Sequence, residues 1–141
     1  MPTWILLALL SAASAALVAI FGKIGIQHVD TTLATAVRAV IMAVVLVAVS
    51  FSLGKWKLLD TLDNKALVYI ALSGLAGALS WFFYFFALKL GPASGVAALD
   101  RLSVVFVLIL AALFLTEKLT WMTGVGAVLI TVGAILMSIN R

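Results

Sequence analysis

Residues 97–115 read AALDRLSVVFVLILAALFL, with two adjacent charges, Asp100 and Arg101, at the head of an apolar run that lasts to Leu115. Taken alone, such a run fits a buried core helix or a membrane span. The rest of the chain decides between them. Of its 141 residues, 66% are hydrophobic and only 10% are charged, and the mean hydropathy is +1.33. A soluble domain is nearer half apolar and about a quarter charged. This chain has too few polar residues to cover itself in water, so its solvent is the lipid bilayer. Only helices and closed barrels satisfy their backbone there. Barrel strands alternate apolar and polar residues, whereas this sequence runs in long unbroken apolar blocks. The expected fold is therefore an all-α integral membrane protein.

A spanning helix needs about 20 mostly apolar residues. Five such spans are expected, at about 4–22, 31–53, 66–88, 92–115 and 121–139, as one transmembrane domain over residues 1–141. Charge and turn chemistry gather in the links. GKWKLLDTLDNK (54–65) is the one long loop, and KLGPAS (89–94) and TEKLT (116–120) are tight. Trp4, Trp56 and Trp121 suit the interface, where amphipathic rings collect. Trp81 falls well inside the third span and does not. LLALLSAASAA (6–16) has the small residues of a signal cleavage site, but MPTW before it carries no basic residue. The expectation is that it stays as a close-packing first span.

Composition also excludes several classes. With no cysteine, there are no disulfides and no thiol-ligated metals. His28 is the only histidine, so a metal site is not expected. The net charge is +4, but the basic residues are scattered between spans, with no patch for nucleic acid. No Ser/His/Asp set, P-loop or GxGxxG motif appears, so neither an enzyme nor a cofactor is expected. Asp30-Thr31-Thr32 reads as the N-cap of the second span. Glu117, in the last link, suits the start of the fifth span, where an acid complements the helix dipole.

Five spans put the termini on opposite sides. The N-terminal side, A, takes Lys55, Lys57, Lys65 and Lys118. Side B takes Lys23, Lys89 and Arg141, with Arg38 and Arg101 just inside the membrane. Orientation follows an asymmetry in Lys and Arg, and four against five is almost none. Dual topology, with copies inserted both ways up, is the expectation.

Arg38, Asp100 and Arg101 all lie roughly 10 Å below side B at 1.5 Å per residue. Charges at that depth are tolerated when they face a bundle interior, a water cavity or each other. Adjacent residues on a helix do not face each other, so Asp100 and Arg101 have different surroundings. Ser103 shares the Asp100 face. One reading is a hydrated site in which Asp100 holds a cation or a coupling proton. The other is a structural ion pair between Asp100 and a basic residue such as Arg38. Arg101 can also snorkel to the side B headgroups. In the third span, SGLAGALSWFFYFFALKL (73–90), the small residues Ser73, Gly77 and Ser80 share a face that Trp81 and Tyr84 continue. The two rings line a cavity or simply pack, since a Trp or Tyr in mid-membrane needs a partner for its polar atom. Phe82, Phe83, Phe85 and Phe86 read as lipid-facing bulk. In the last span Gly126 and Gly133 form a stripe for close packing, at a subunit interface or within the chain.

ALKLGPASGVAAL (87–99) and FVLILAALFLTEKLTWMTGVGAVLITVGAILM (106–137) resemble the second half of an EamA-type domain of the drug/metabolite transporter superfamily. Trp4, FGKIGIQHVD (21–30) and Arg38 resemble the first half more loosely. Familiar members carry two such five-helix repeats in inverted orientation. This chain carries one, and resembles the short members that have an Asp-basic-Leu-Ser stretch like residues 100–103. The resemblance implies half of a ten-helix fold. It further implies a multi-pass transporter in a bacterial or archaeal cell (inner) membrane, and a homodimer, parallel or antiparallel, with a small-molecule substrate between its copies. On that reading Asp100, Arg38, Trp81, Tyr84 and Ser103 belong to the cavity or to coupling, and Arg101, Glu117 and Gly77 to structure or gating. The rivals are a non-transporting membrane subunit and a small multidrug cation exporter. The small multidrug resistance family relies on an acid in its first helix, and the first span here has none.

Overall fold

The computed structural model describes residues 2–139; Arg141, counted above on side B, lies outside them. The elements are α1 (Thr3–Gly25), α2 (Thr31–Ser52), a 3-10 helix (Lys55–Thr61), α3 (Asn64–Leu90), α4 (Ala93–Asp100), α5 (Ser103–Phe114) and α6 (Trp121–Ile139). Among the described residues there is no strand. Five segments are long and apolar enough to cross a membrane: α1, α2, α3, α6 and the consecutive α4–α5, Ala93–Phe114. Their apolar side chains are largely exposed, as Leu7, Val44, Phe83, Leu113 and Leu129 illustrate. In water that would be untenable, but in a bilayer lipid tails are as apolar as leucine. The chain is a multi-pass membrane protein. It divides into two compact units, Gly22–Lys89 and the parts of the chain on either side of it.

In the Gly22–Lys89 unit, α2 starts where Asp30 caps it, its carboxylate accepting from the Leu33 amide at 2.9 Å. α3 has a similar cap from Asp63, which accepts from the Ala66 amide at 2.7 Å. Between them Gly54 takes a left-handed turn (φ 63°) past the end of α2, the conformation glycine adopts at helix C-termini without strain. Trp56 then stacks on Phe51, with centroids 4.8 Å apart.

At the opposite end of this unit the last turns of α3 bury Phe85 and Leu88. Gly22 makes the approach possible, because a Cβ there would stand 3.2 Å from the Phe85 ring edge. Phe85 is thus core, which corrects its reading as lipid-facing. Phe83 is exposed as expected. Two lysines lock the same end. Lys23 donates to the Leu88 carbonyl. Lys89 donates to the carbonyls of Ile26, Gln27 and Val29 at 2.6, 2.9 and 3.3 Å. Lys23 thus satisfies a carbonyl in the last turn of α3, and Lys89 gathers carbonyls of the link between α1 and α2.

In the other unit, α4 packs on α6. Pro92 takes the N-cap position of α4. Gly95 is buried, and a Cβ on it would lie 3.6 Å from the Met137 carbonyl oxygen. Ala19 on α1, Ala111 on α5 and Ala134 on α6 are likewise buried small residues of this unit's helices. Small side chains of this kind let membrane helices approach. Thr120 caps α6, its hydroxyl accepting from the Thr123 amide at 3.2 Å.

Candidate functional site

The Gly22–Lys89 unit holds a cavity of about 710 Å³ between α2 and α3, within the range of small-molecule pockets, roughly 300–1,000 Å³. Small residues open it: Ala36, Ala39 and Ala43 on α2 face Gly74, Gly77 and Ala78 on α3. The remaining walls are mostly apolar, with Met42 and Leu46 toward the end of α2 and Phe82 on α3. Thr32 and Thr35 stand at its side B end. The Thr35 hydroxyl donates to the Thr31 carbonyl at 2.7 Å and keeps its lone pairs.

One charge lines this cavity, Arg38. Its guanidinium carbon sits 3.6 Å above the centroid of the Trp81 ring and 5.4 Å from that of Phe85. A guanidinium over an indole face is held by the ring quadrupole, most strongly where water is scarce. Tyr84 supports Trp81 edge-on, with centroids 5.5 Å apart, and Phe85 closes the other side at 6.0 Å. Trp81 therefore has a reason to be in mid-membrane: it is the platform for the only arginine in this unit. Within the unit, no described residue forms an ion pair or a hydrogen bond with the Arg38 guanidinium. Among the described residues of the unit, its five N–H donors are thus unengaged.

Of the residues the sequence singled out, Arg38, Trp81 and Gly77 thus share one cavity, with Tyr84 braced behind the Trp81 ring. The structure adds Thr35, Met42, Ala39 and Gly74, which the sequence reading passed over. Their only signal is spacing, since Thr35, Ala39 and Met42 recur with Arg38 at helical intervals on α2.

Asp100, Arg101 and Ser103 belong to the other unit. They stand at an interruption in the fourth span, which the sequence reading takes as one continuous helix. α4 ends at Asp100 and α5 begins at Ser103. The backbone bonds across the gap run from Arg101 to Ala98 (3.1 Å), Leu102 to Leu99 (3.0 Å), Val104 to Arg101 (3.1 Å) and Val105 to Leu102 (2.9 Å). All four are the tighter i→i−3 type, which in mid-helix marks a functional hinge or strain. The i→i−4 pattern resumes with the Phe106 amide, which reaches the Leu102 carbonyl at 3.4 Å. Asp100 is half-buried, while Arg101 and Ser103 are exposed. Glu117 is exposed in the link before α6, and its amide donates to the Ala111 carbonyl at 3.3 Å. The described residues hold no cluster of potential metal ligands.

Known proteins are similar to this chain in sequence. A relative from a Sinorhizobium species, named an uncharacterized transporter in the cobO 3′ region, is 43% identical over 137 residues, 97% of each chain. An uncharacterized protein of Methanocaldococcus jannaschii is 34% identical over 87 residues, 62% of this chain and 64% of its own. No solved structure matches the chain. The pattern of the EamA-like transporter family covers residues 2–139, and the chain, with five apolar helices and a ligand-sized cavity inside its membrane region, belongs to the EamA-like transporter family.

Proposed function

We propose that this chain moves a small metabolite or organic ion across a bacterial or archaeal cell membrane by alternating access, as a homodimer. The observation that carries the reading is the cavity between α2 and α3, ligand-sized and apolar-walled, with a single ionisable group, Arg38, at membrane depth. Intramembrane charges mark substrate and ion pathways. One five-span repeat is half of the plan in which inverted repeats alternate around a central site. The near-equal basic residues on the two sides support an antiparallel pair. Reporters fused to the C-terminus, one active only in the cytoplasm and one only outside it, test this. Comparable signals from both are expected, and a signal from one alone overturns the antiparallel arrangement.

Asp100 is the coupling residue in this proposal, because it is the one acid within the described spans. It stands where the fourth span is interrupted, and discontinuous helices build ion sites in many transporters. The test uses proteoliposomes loaded with a pH-sensitive dye and offered fractions of a metabolite extract. Wild-type protein is expected to move protons with its substrate. Asp100→Asn should bind the substrate yet lose the proton movement. If folded Asp100→Asn keeps both transport and its pH dependence, Asp100 does not couple.

A further inference from the structure

Resting on the transport reading above, we infer that the α2–α3 cavity selects small organic monoanions: a single carboxylate on an apolar body. Three observations converge on that class. The cavity is lined by one full charge, and that charge is positive. The guanidinium has no carboxylate or hydrogen-bond acceptor among the described residues of its unit, so its planar fork is presented to whatever enters. Such a fork takes a carboxylate through two parallel N–H···O bonds, a geometry that a lysine ammonium does not reproduce. The guanidinium carbon sits 3.6 Å over the Trp81 ring, which holds the charge in place before a ligand arrives.

The length of the cavity sets the rest of the ligand. From Thr32 to Leu46 the lining follows α2 for about 21 Å at 1.5 Å per residue. Arg38 lies in the part nearer the start of α2. Beyond it the walls carry no charge: Met42, Leu46 and Gly74. A ligand anchored at Arg38 thus points its body away from side B into an apolar slot. A second charge on that body would be desolvated there without a partner, so dianions are disfavoured. Organic cations meet the wrong sign at the only charged group. This places the binding preference opposite to that of the multidrug cation exporter considered from the sequence.

The test uses the full chain in zwitterionic phosphatidylcholine nanodiscs and three probes of one shape: 1-naphthoate, 1-naphthamide and 1-naphthylmethylammonium. Calorimetry should show naphthoate binding about tenfold or more tighter than either of the others, the discrimination expected of one charge-assisted bidentate contact. Arg38→Gln should remove that preference, and Arg38→Lys should keep only part of it. Gly77→Leu, whose side chain enters the cavity where no atom now lies within 4 Å of a Cβ, should weaken all three probes alike. If Arg38→Gln does not fold, Arg38→Lys and Gly77→Leu still decide. Equal binding of the three probes, or tighter binding of the ammonium, overturns the anion assignment and leaves the transport reading standing. Transport of extract fractions undiminished in Gly77→Leu overturns both, because the cavity is then not the path. Equal competition by phosphatidylglycerol mixed into the nanodisc assigns the site to a lipid headgroup and overturns the small-molecule assignment.

Discussion

Arg38 and Trp81 allow a prediction in which stability and function part ways. A basic residue at a helix centre costs about 2.5–3.5 kcal/mol on insertion scales. Arg38 lies about 10 Å from the start of α2, so its cost is part of that, about 1–2 kcal/mol. Stacking on Trp81 at 3.6 Å returns about 1–2 kcal/mol where water is scarce. Arg38→Met removes both terms and should leave unfolding free energy within about 1 kcal/mol of wild type. Trp81→Leu alone loses ring packing and the stack together. Made on top of Arg38→Met, the same change loses packing only. The difference, the coupling energy of a double-mutant cycle, should be about 1–2 kcal/mol. The assay is reversible unfolding in mixed micelles, titrated with sodium dodecyl sulfate and followed by circular dichroism. A coupling energy below about 0.3 kcal/mol, the error of simple additivity, would refute the claim that Trp81 holds Arg38. The same Arg38→Met protein should be inert in transport on the proposal that this charge holds the ligand.

Further outcomes follow from the packing. Gly95→Ala should fold normally by thermal melting, because its Cβ meets ordinary contacts at 3.4–3.8 Å, whereas Gly95→Leu should cost about 1–3 kcal/mol by driving α4 off α6. Lys89→Met removes the partner of the part-buried Ile26 carbonyl and of the exposed Gln27 and Val29 carbonyls and should destabilise by about 1 kcal/mol; hydrogen exchange at residues 28–31 should rise with it. Asp30→Ala removes the cap of α2 and should cost about 1 kcal/mol, measured in the same micelle titration.

Much of this architecture is legible in the residues. Hydropathy alone marks five spans, because a bilayer demands long apolar helices and nothing else here meets that demand. Asp30 reads as a cap from its position before an apolar run. Trp81 stands out because an indole so deep in a span calls for an explanation, and the structure gives its ring face to Arg38. What is not legible depends on pairs far apart in sequence. The four phenylalanines at 82, 83, 85 and 86 look alike. Only the space left by Gly22 makes Phe85 core. The interruption after Asp100 is equally silent, since a change from i→i−4 to i→i−3 bonding over two residues does not disturb an apolar pattern. The charged pair there reads as chemistry and is also a sign of backbone geometry.

That interruption has a mechanical consequence. In an intact helix, tilting one half against the other breaks i→i−4 bonds in a medium with no water to replace them. At residues 101–102 the amides are bonded in the i→i−3 pattern instead, so the two halves of this span meet where the regular ladder is already interrupted. α4 is anchored to α6 where Gly95 meets Met137, while α5 buries only Ala111. Any bending of the span is therefore borne by α5, like an oar on a fixed rowlock, with the Asp100 carboxylate at the fulcrum.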